Sequence, residues 1–255
     1  MINVMKKSGE IEPYNEDKII LSLRNSRADE ETIQIILKKL NKRLYNNIPT
    51  QEIFRLVFRE LRRLELSVGT RYNLKQGIID MTLGGGFVFE KFMEKVYKKL
   101  GYKTKLNQII KGKRITHEID IVLEKENNIF MVECKHFSRS DLGVSIQTAL
   151  YVYARFLDLK KSFNRAIIAT NTKFSNQVIE YSRGVGVDLI GWKYPRDNSL
   201  EKIIERNKIY PITVLPLKKS EIRRFLEEGI LTLEELERSP RINKNIRELI
   251  KKLKK

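Results

Sequence analysis

Three charged side chains stand inside two otherwise apolar runs. Asp120 lies in Ile115-Thr116-His117-Glu118-Ile119-Asp120-Ile121-Val122-Leu123, and Glu133 and Lys135 lie in Ile129-Phe130-Met131-Val132-Glu133-Cys134-Lys135. An unpaired charge among apolar neighbours is costly, so such groups are expected to meet one another. Side chains alternate along a strand, so Glu133 and Lys135 point to one face, as do Glu118 and Asp120. A hairpin through Glu124-Lys125-Glu126-Asn127-Asn128 brings the two runs together. Two carboxylates and an ammonium then gather at one end of a sheet. Hard oxygen ligands of this kind suit Mg²⁺ or Mn²⁺. A divalent ion held there activates water and stabilises charge on a phosphodiester.

The arrangement resembles the PD-(D/E)xK nuclease superfamily, and within it the Mrr-like restriction endonucleases. The proline of the superfamily's name is absent, and Ile119 stands in its place. The resemblance implies metal-assisted phosphodiester hydrolysis, with Asp120 and Glu133 on the ion and the Cys134 carbonyl as a further ligand. Lys135 then lies near the attacking water and the scissile phosphate, where its charge stabilises the transition state. The resemblance also implies a metal-binding Glu on the helix before the sheet, and Glu90 of Phe89-Glu90 is the matching position. Gln147-Thr148-Ala149-Leu150-Tyr151 is similar to the Gln-x-x-x-Tyr element of exonuclease branches, so Gln147 is expected to orient water or a phosphate. His117 and His136 flank the site and are assigned no catalytic role.

The elements that must position these groups fall into three segments. Residues 1–82 read as a short β element followed by helices, with Ile33, Ile36, Leu37, Leu40 and Leu44 at helical spacing in one of them. Gly84-Gly85-Gly86 reads as a flexible joint. Residues 83–195 read helix, three strands, helix, strand, helix, strand, with Ser140 to Lys160 as a long amphipathic helix and Arg165 to Thr170 as an apolar strand. This order fits the α-β-β-β-α-β core that the resemblance implies, an α/β fold with a mixed sheet and helices on both faces. Residues 196–255 read as a basic helical segment. Its Phe225 to Leu236 stretch, with Gly229 at a helix end and Thr232 at the next N-cap, looks like half of a helix-hairpin-helix element.

The chain has 255 residues and a net charge of +18. Residues 1–81 hold 15 basic and 11 acidic side chains, and residues 82–255 hold 35 and 21, so the excess lies with the proposed nuclease segment. A polyanionic partner follows, most simply DNA. The single cysteine, Cys134, excludes an internal disulfide framework and suits a reducing cytoplasm. No secretory leader is expected from Met1-Ile2-Asn3-Val4-Met5-Lys6-Lys7, and no apolar run approaches the roughly 20 residues of a membrane span.

Val4 to Ile19, together with Pro49-Thr50-Gln51-Glu52-Ile53 and Arg71-Tyr72-Asn73-Leu74-Lys75, resembles the ATP-cone, a small regulatory nucleotide-binding domain. The resemblance implies that Lys6, Lys7 and Lys18 contact phosphates, that Val4 and Ile19 flank an adenine, and that Thr50 bonds to it. Bound ATP or dATP is expected to regulate rather than to be hydrolysed. The expectation is thus a nucleotide-regulated, metal-dependent DNA nuclease, with a homodimer if both strands are cut. The alternative is a non-cleaving nucleic-acid-binding regulator that senses ATP or dATP.

Overall fold

The computed structural model describes residues 2–254. The chain forms two compact units, which part between Gln76 and Gly77. The first comprises residues 1–76, 214–216 and 240–255, and the second residues 77–213 and 217–239.

The first unit opens with β1 (Asn3–Met5), antiparallel to β2 (Ile11–Pro13) and parallel to β3 (Ile48–Pro49). Helices α1 (Glu16–Asn25), α2 (Glu30–Asn41), α3 (Thr50–Leu64) and α4 (Leu66–Tyr72) accompany this sheet. Asn15 and Asp29 cap α1 and α2, their side chains accepting from the Lys18 and Thr32 amides. Behind those caps the 3.6-residue period turns Ile33, Ile36, Leu37 and Leu40 of α2 inward, against Val57 and Leu61 of α3 and Val68 of α4.

The second unit is built on a five-stranded sheet. After α5 (Leu74–Asp80), which runs across the division, come α6 (Val88–Lys99), β4 (Lys103–Lys111), β5 (Thr116–Lys125) and β6 (Asn128–Lys135). There follow β7 (Gly143–Val144), α7 (Ile146–Asp158), β8 (Arg165–Thr170), β9 (Lys173–Phe174), α8 (Asn176–Val185), β10 (Val187–Ile190) and α9 (Leu200–Asn207). Strand order is β10-β8-β6-β5-β4. Strands β6, β8 and β10 run parallel, whereas β4 and β5 are antiparallel neighbours. On one face Met131, Ala166, Ile168, Val187 and Leu189 pack under α7 and α8. Helix α6 packs on β4 and β5. The expected α/β class, mixed sheet and α-β-β-β-α-β order are all present.

Three expectations change in detail. Helix α7 is shorter than residues 140–160, because Gly143 and Val144 leave the helix to pair in parallel with Lys173 and Phe174. Of the three glycines only Gly84 is a close-packing point, where a Cβ would lie 2.7 Å from Leu226 and 2.8 Å from Val88, whereas Gly85 and Gly86 have open space around them. The 196–255 segment is not one piece. Helices α10 (Lys219–Glu227) and α11 (Leu233–Glu237) belong to the second unit. Helix α12 (Lys244–Leu253) belongs to the first and packs on α4, where Arg71 donates to the Lys252 carbonyl at 3.1 Å.

Candidate functional site

The β5–β6 hairpin turns at Glu126-Asn127, with Lys125 paired to Asn128 and Ile121 to Val132. One further step in that register sets Asp120 opposite Glu133. Glu133 shares the face of Met131, toward α7, whereas Ile119 and Val122 both belong to that core, so the alternation of β5 breaks around Asp120. The backbone amide of Cys134 donates to Asp120 Oδ2 at 2.7 Å. On the other side, the ladder with β4 skips Asn107, which stands opposite Asp120 with φ of +50°. Asn is among the few residue types that accept this left-handed conformation, and the ladder is interrupted beside the acid.

Glu133 is 5% exposed and so needs compensation. It has two cationic partners. Lys135 Nζ lies 2.7 Å from Oε1, and Arg155 Nη1 lies 2.6 Å from Oε2. Arg155 is itself buried and also donates to the Glu118 carbonyl oxygen. Its guanidinium lies 5.1 Å from the centre of the Tyr151 ring. Residues 147, 151 and 155 are spaced by four, one face of α7. Arg155 lies one further step along the spacing of Gln147 and Tyr151, which is the signal that marks it in the sequence.

The electrostatics are those of crowded acids. Burial, then the charge of Glu133, pushes the Asp120 carboxyl up to about 6. Glu90, half-buried in the first turn of α6, is pushed up to about 7 by burial and then by the charges of Asp120, Glu118 and Glu133. Burial alone would lower the Lys135 ammonium, but its hydrogen bond to Glu133 and the neighbouring charges outweigh this and hold it above its ordinary value.

The chain leaving β6 is fixed from behind. Thr170 Oγ1 donates to the Lys135 carbonyl at 2.7 Å. The Asn171 amide pairs with Phe137 in both directions, each bond 2.8 Å. His136 bonds through Nε2 to the Ile78 carbonyl and stacks on Phe89, while His117 bonds Asp158. Both histidines are held by structural partners.

The remaining predicted residues divide. Glu90 joins the acids electrostatically. Gln147 is exposed, and among the described residues no hydrogen bond links it to the acids. The Cys134 thiol is buried and pushed well up, first by that burial and then by the charges of Asp120, Glu90 and Glu133, and its backbone amide bonds Asp120. Among the described residues no three His, Cys, Asp or Glu side chains are gathered tightly enough to hold a metal ion. The physical reason is that Glu133 closes on Lys135 and Arg155, and Asp120 on an amide. The donor set nonetheless fits a divalent ion: hard carboxylate oxygens on neighbouring strands, with burial and then the charge of Glu133 raising the Asp120 carboxyl.

In the first unit, a cavity of about 110 Å³ is lined by Val4, Lys18, Ile19 and Thr50, four of the six residues expected around a nucleotide. Lys6 is drawn onto Glu10 and Glu12, the latter also bound by Lys18 at 3.0 Å, and exposed Lys7 lies outside the cavity. Sequence reasoning missed the aromatic lining. Tyr14, Phe54 and Tyr72 line the same space, Phe54 and Tyr72 stack at 5.2 Å, and the buried Tyr14 hydroxyl has no hydrogen-bond partner among the described residues.

Both units match known families. Residues 2–72 match the ATP cone domain and residues 85–193 a restriction endonuclease domain. The class is therefore a restriction-endonuclease-like domain behind an ATP cone. An uncharacterised Archaeoglobus fulgidus protein is 36% identical over 140 residues, spanning 54% of this chain and 80% of that protein. A crystal structure of a protein of unknown function, AF1548, aligns with TM-score 0.55 at 32% identity, over 66% of this chain and 96% of that one. MspJI restriction endonuclease, solved with a 27-mer oligonucleotide, aligns at 13% identity and TM-score 0.37 over 60% of this chain and 39% of its own, too distant to argue from. Residues 85–193 form a restriction endonuclease domain and residues 2–72 an ATP cone domain ahead of it, and the chain belongs to one family with the Archaeoglobus fulgidus protein.

Proposed function

We propose that the protein is a divalent-metal-dependent DNA nuclease regulated by ATP or dATP in its cone. The observation that supports this most strongly is the placement of Asp120 opposite Glu133, with Lys135 bonded to Glu133, in a restriction-endonuclease-like domain. Asp120, Glu133 and Glu90, with the Cys134 carbonyl, would hold Mg²⁺ or Mn²⁺. Bound there, the ion would supply an activated water and charge stabilisation at the phosphate.

The chain's own residues do the rest. Arg155 holds Glu133 in one rotamer and neutralises it until a substrate or ion competes. Lys135, with a side chain 39% exposed, has the reach to place its ammonium on a non-bridging phosphate oxygen, where negative charge grows as water oxygen bonds to phosphorus and an ester P–O bond breaks. Glu90, half-buried beside Asp120 and Glu118, would complete the carboxylate set around the ion. Gln147, exposed at the start of α7, is placed to meet a phosphate rather than the acids. The net charge of +18 draws the DNA backbone.

One observation favours a second reading. Glu133 already has two cationic partners, the arrangement of a non-cleaving nucleic-acid-binding regulator whose nuclease fold is reused. Incubation of plasmid and single-stranded DNA with Mg²⁺ or Mn²⁺, with and without ATP, separates the two. Metal-dependent cleavage altered by ATP is the expected result. DNA binding with no cleavage under any of these conditions would establish the regulator instead.

A further inference from the structure

The turn from β4 to β5 reads Lys111-Gly112-Lys113-Arg114-Ile115-Thr116, and no step of the proposed reaction uses it. The ladder ends where Lys111 pairs with Thr116, and the Gly112 amide donates to the Ile115 carbonyl at 2.8 Å. Strand β5 starts at this turn, and its antiparallel neighbour β6 ends on the same side, at Lys135. The turn therefore stands at the end of the sheet that holds the acids. Five residues separate Ile115 from Asp120, at most about 17 Å of strand.

The turn is anchored. Helix α7 ends at Asp158, whose Oδ1 accepts from the Lys113 backbone amide at 3.1 Å and whose Oδ2 lies 2.8 Å from His117 Nε2. A Cβ on Gly112 would fall 1.8 Å from Asp158 Oδ2, so the glycine leaves the space that the carboxylate fills. A carboxylate is disfavoured at a helix C-terminus, and these bonds offset that cost. What the anchored turn presents is positive charge. Lys111, Lys113 and Arg114 are exposed, and exposed Lys160 and Lys161 follow Asp158 by two and three residues. None of the five forms an ion pair among the described residues. The carboxylate nearest to them, Asp158, is already engaged by the Lys113 amide and His117. Like charges held together repel one another, and a row of phosphates relieves that repulsion while releasing its own counterions. At about 3.4 Å per nucleotide, 17 Å corresponds to roughly five nucleotides of one strand.

We infer that the β4–β5 turn and the end of α7 form a fixed arm that grips the backbone of duplex DNA about five nucleotides from the phosphate at the acids. Lys113 and Arg114 each meet a phosphate, and Asp158 holds the turn that carries them. The inference rests on the DNA reading above but not on cleavage. Binding of the full-length protein to a fluorescein-labelled duplex of about 25 base pairs is followed by anisotropy with Ca²⁺, between about 50 and 200 mM salt. Wild type is compared with Lys113→Ala/Arg114→Ala, with Arg114→Ala alone, and with a control, Lys103→Ala/Lys105→Ala. The control removes two exposed charges from the far end of β4, about 20 Å or more from Lys111. The arm variants lose only exposed side chains and keep the Lys113 amide that holds Asp158, so a wild-type melting profile is expected. At about 100 mM salt the double arm variant is expected to bind about 10-fold or more weakly, its log–log salt slope smaller by about 2. Arg114→Ala is expected to lower the slope by about 1, and the control to change affinity by less than about 3-fold. Equal losses in the arm and control variants, or a wild-type slope in both arm variants, would overturn the inference and leave the DNA reading standing. A wild type that binds no DNA would overturn that reading and the inference with it.

Discussion

Arg155→Met keeps the length of the side chain's stem and removes the guanidinium that faces Glu133. Glu133 would remain buried with Lys135 alone, and the Glu118 carbonyl would lose a donor. Removing one partner of a buried ion pair costs about 3–5 kcal/mol, because the surviving charge is left uncompensated. The remaining Lys135 contact places this case at the lower end, about 3 kcal/mol. For a domain of this size that is a fall in melting temperature of about 6–12 °C. The only tryptophan, Trp192, is 4% exposed and belongs to the second unit, so its fluorescence follows the unfolding of that unit. Glu133→Gln in the Arg155→Met background removes the stranded charge, and the double variant is expected to be more stable than the sum of the single effects by at least about 1 kcal/mol. Arg155→Met melting within about 2 °C of wild type, or a double variant with purely additive losses, would show that Arg155 does not hold Glu133 as described.

Three other outcomes are expected. Lys135→Ala should reduce cleavage by roughly 100-fold or more while DNA affinity, measured in the presence of Ca²⁺, changes little. Asp120 and Glu90 have carboxyls raised to about 6 and about 7, so the folded protein retains protons that the unfolded chain has released. Their contribution to stability is therefore present at low pH and is lost as pH rises through about 4 to 7. Mn²⁺, which binds the ionised forms, should stabilise the second unit far more at pH 8 than at pH 5, by about 2.7 kcal/mol at a hundredfold excess over Kd, and an equal shift at both pH values would refute this. Tyr14→Phe should leave the unliganded first unit as stable as wild type or slightly more so, yet weaken ATP binding about 3- to 10-fold by calorimetry.

The acids were legible because a tight hairpin joins the two strands that carry them. Once Ile119-Asp120-Ile121 and Val132-Glu133-Cys134 are read as strands joined by a tight turn, the hairpin register places Asp120 and Glu133 together. What stayed hidden depends on contacts distant in sequence. An arginine on an amphipathic helix is ordinarily solvated, so nothing local marks Arg155 as buried until β6 supplies Glu133. The start of α7 was misplaced because Gly143 and Val144 take their partners from Lys173 and Phe174, thirty residues later. Gly84 read as freedom, whereas Leu226 makes it a packing constraint. In the cone, Lys7 fitted a motif position but not the cavity, and Tyr14 and Phe54 were passed over because aromatic residues near helices read first as core.

The proposed catalytic cation is held by Asp120 and Glu133 together. The most direct test is Mn²⁺ binding by calorimetry at pH 8, paired with cleavage of single-stranded and plasmid DNA, for wild type, Asp120→Asn and Glu133→Gln, each shown by Trp192 fluorescence to be folded. The wild type is expected to bind Mn²⁺ saturably and to cut DNA, and each variant to lose both. Folded variants that bind Mn²⁺ and cut DNA as the wild type does would contradict this assignment.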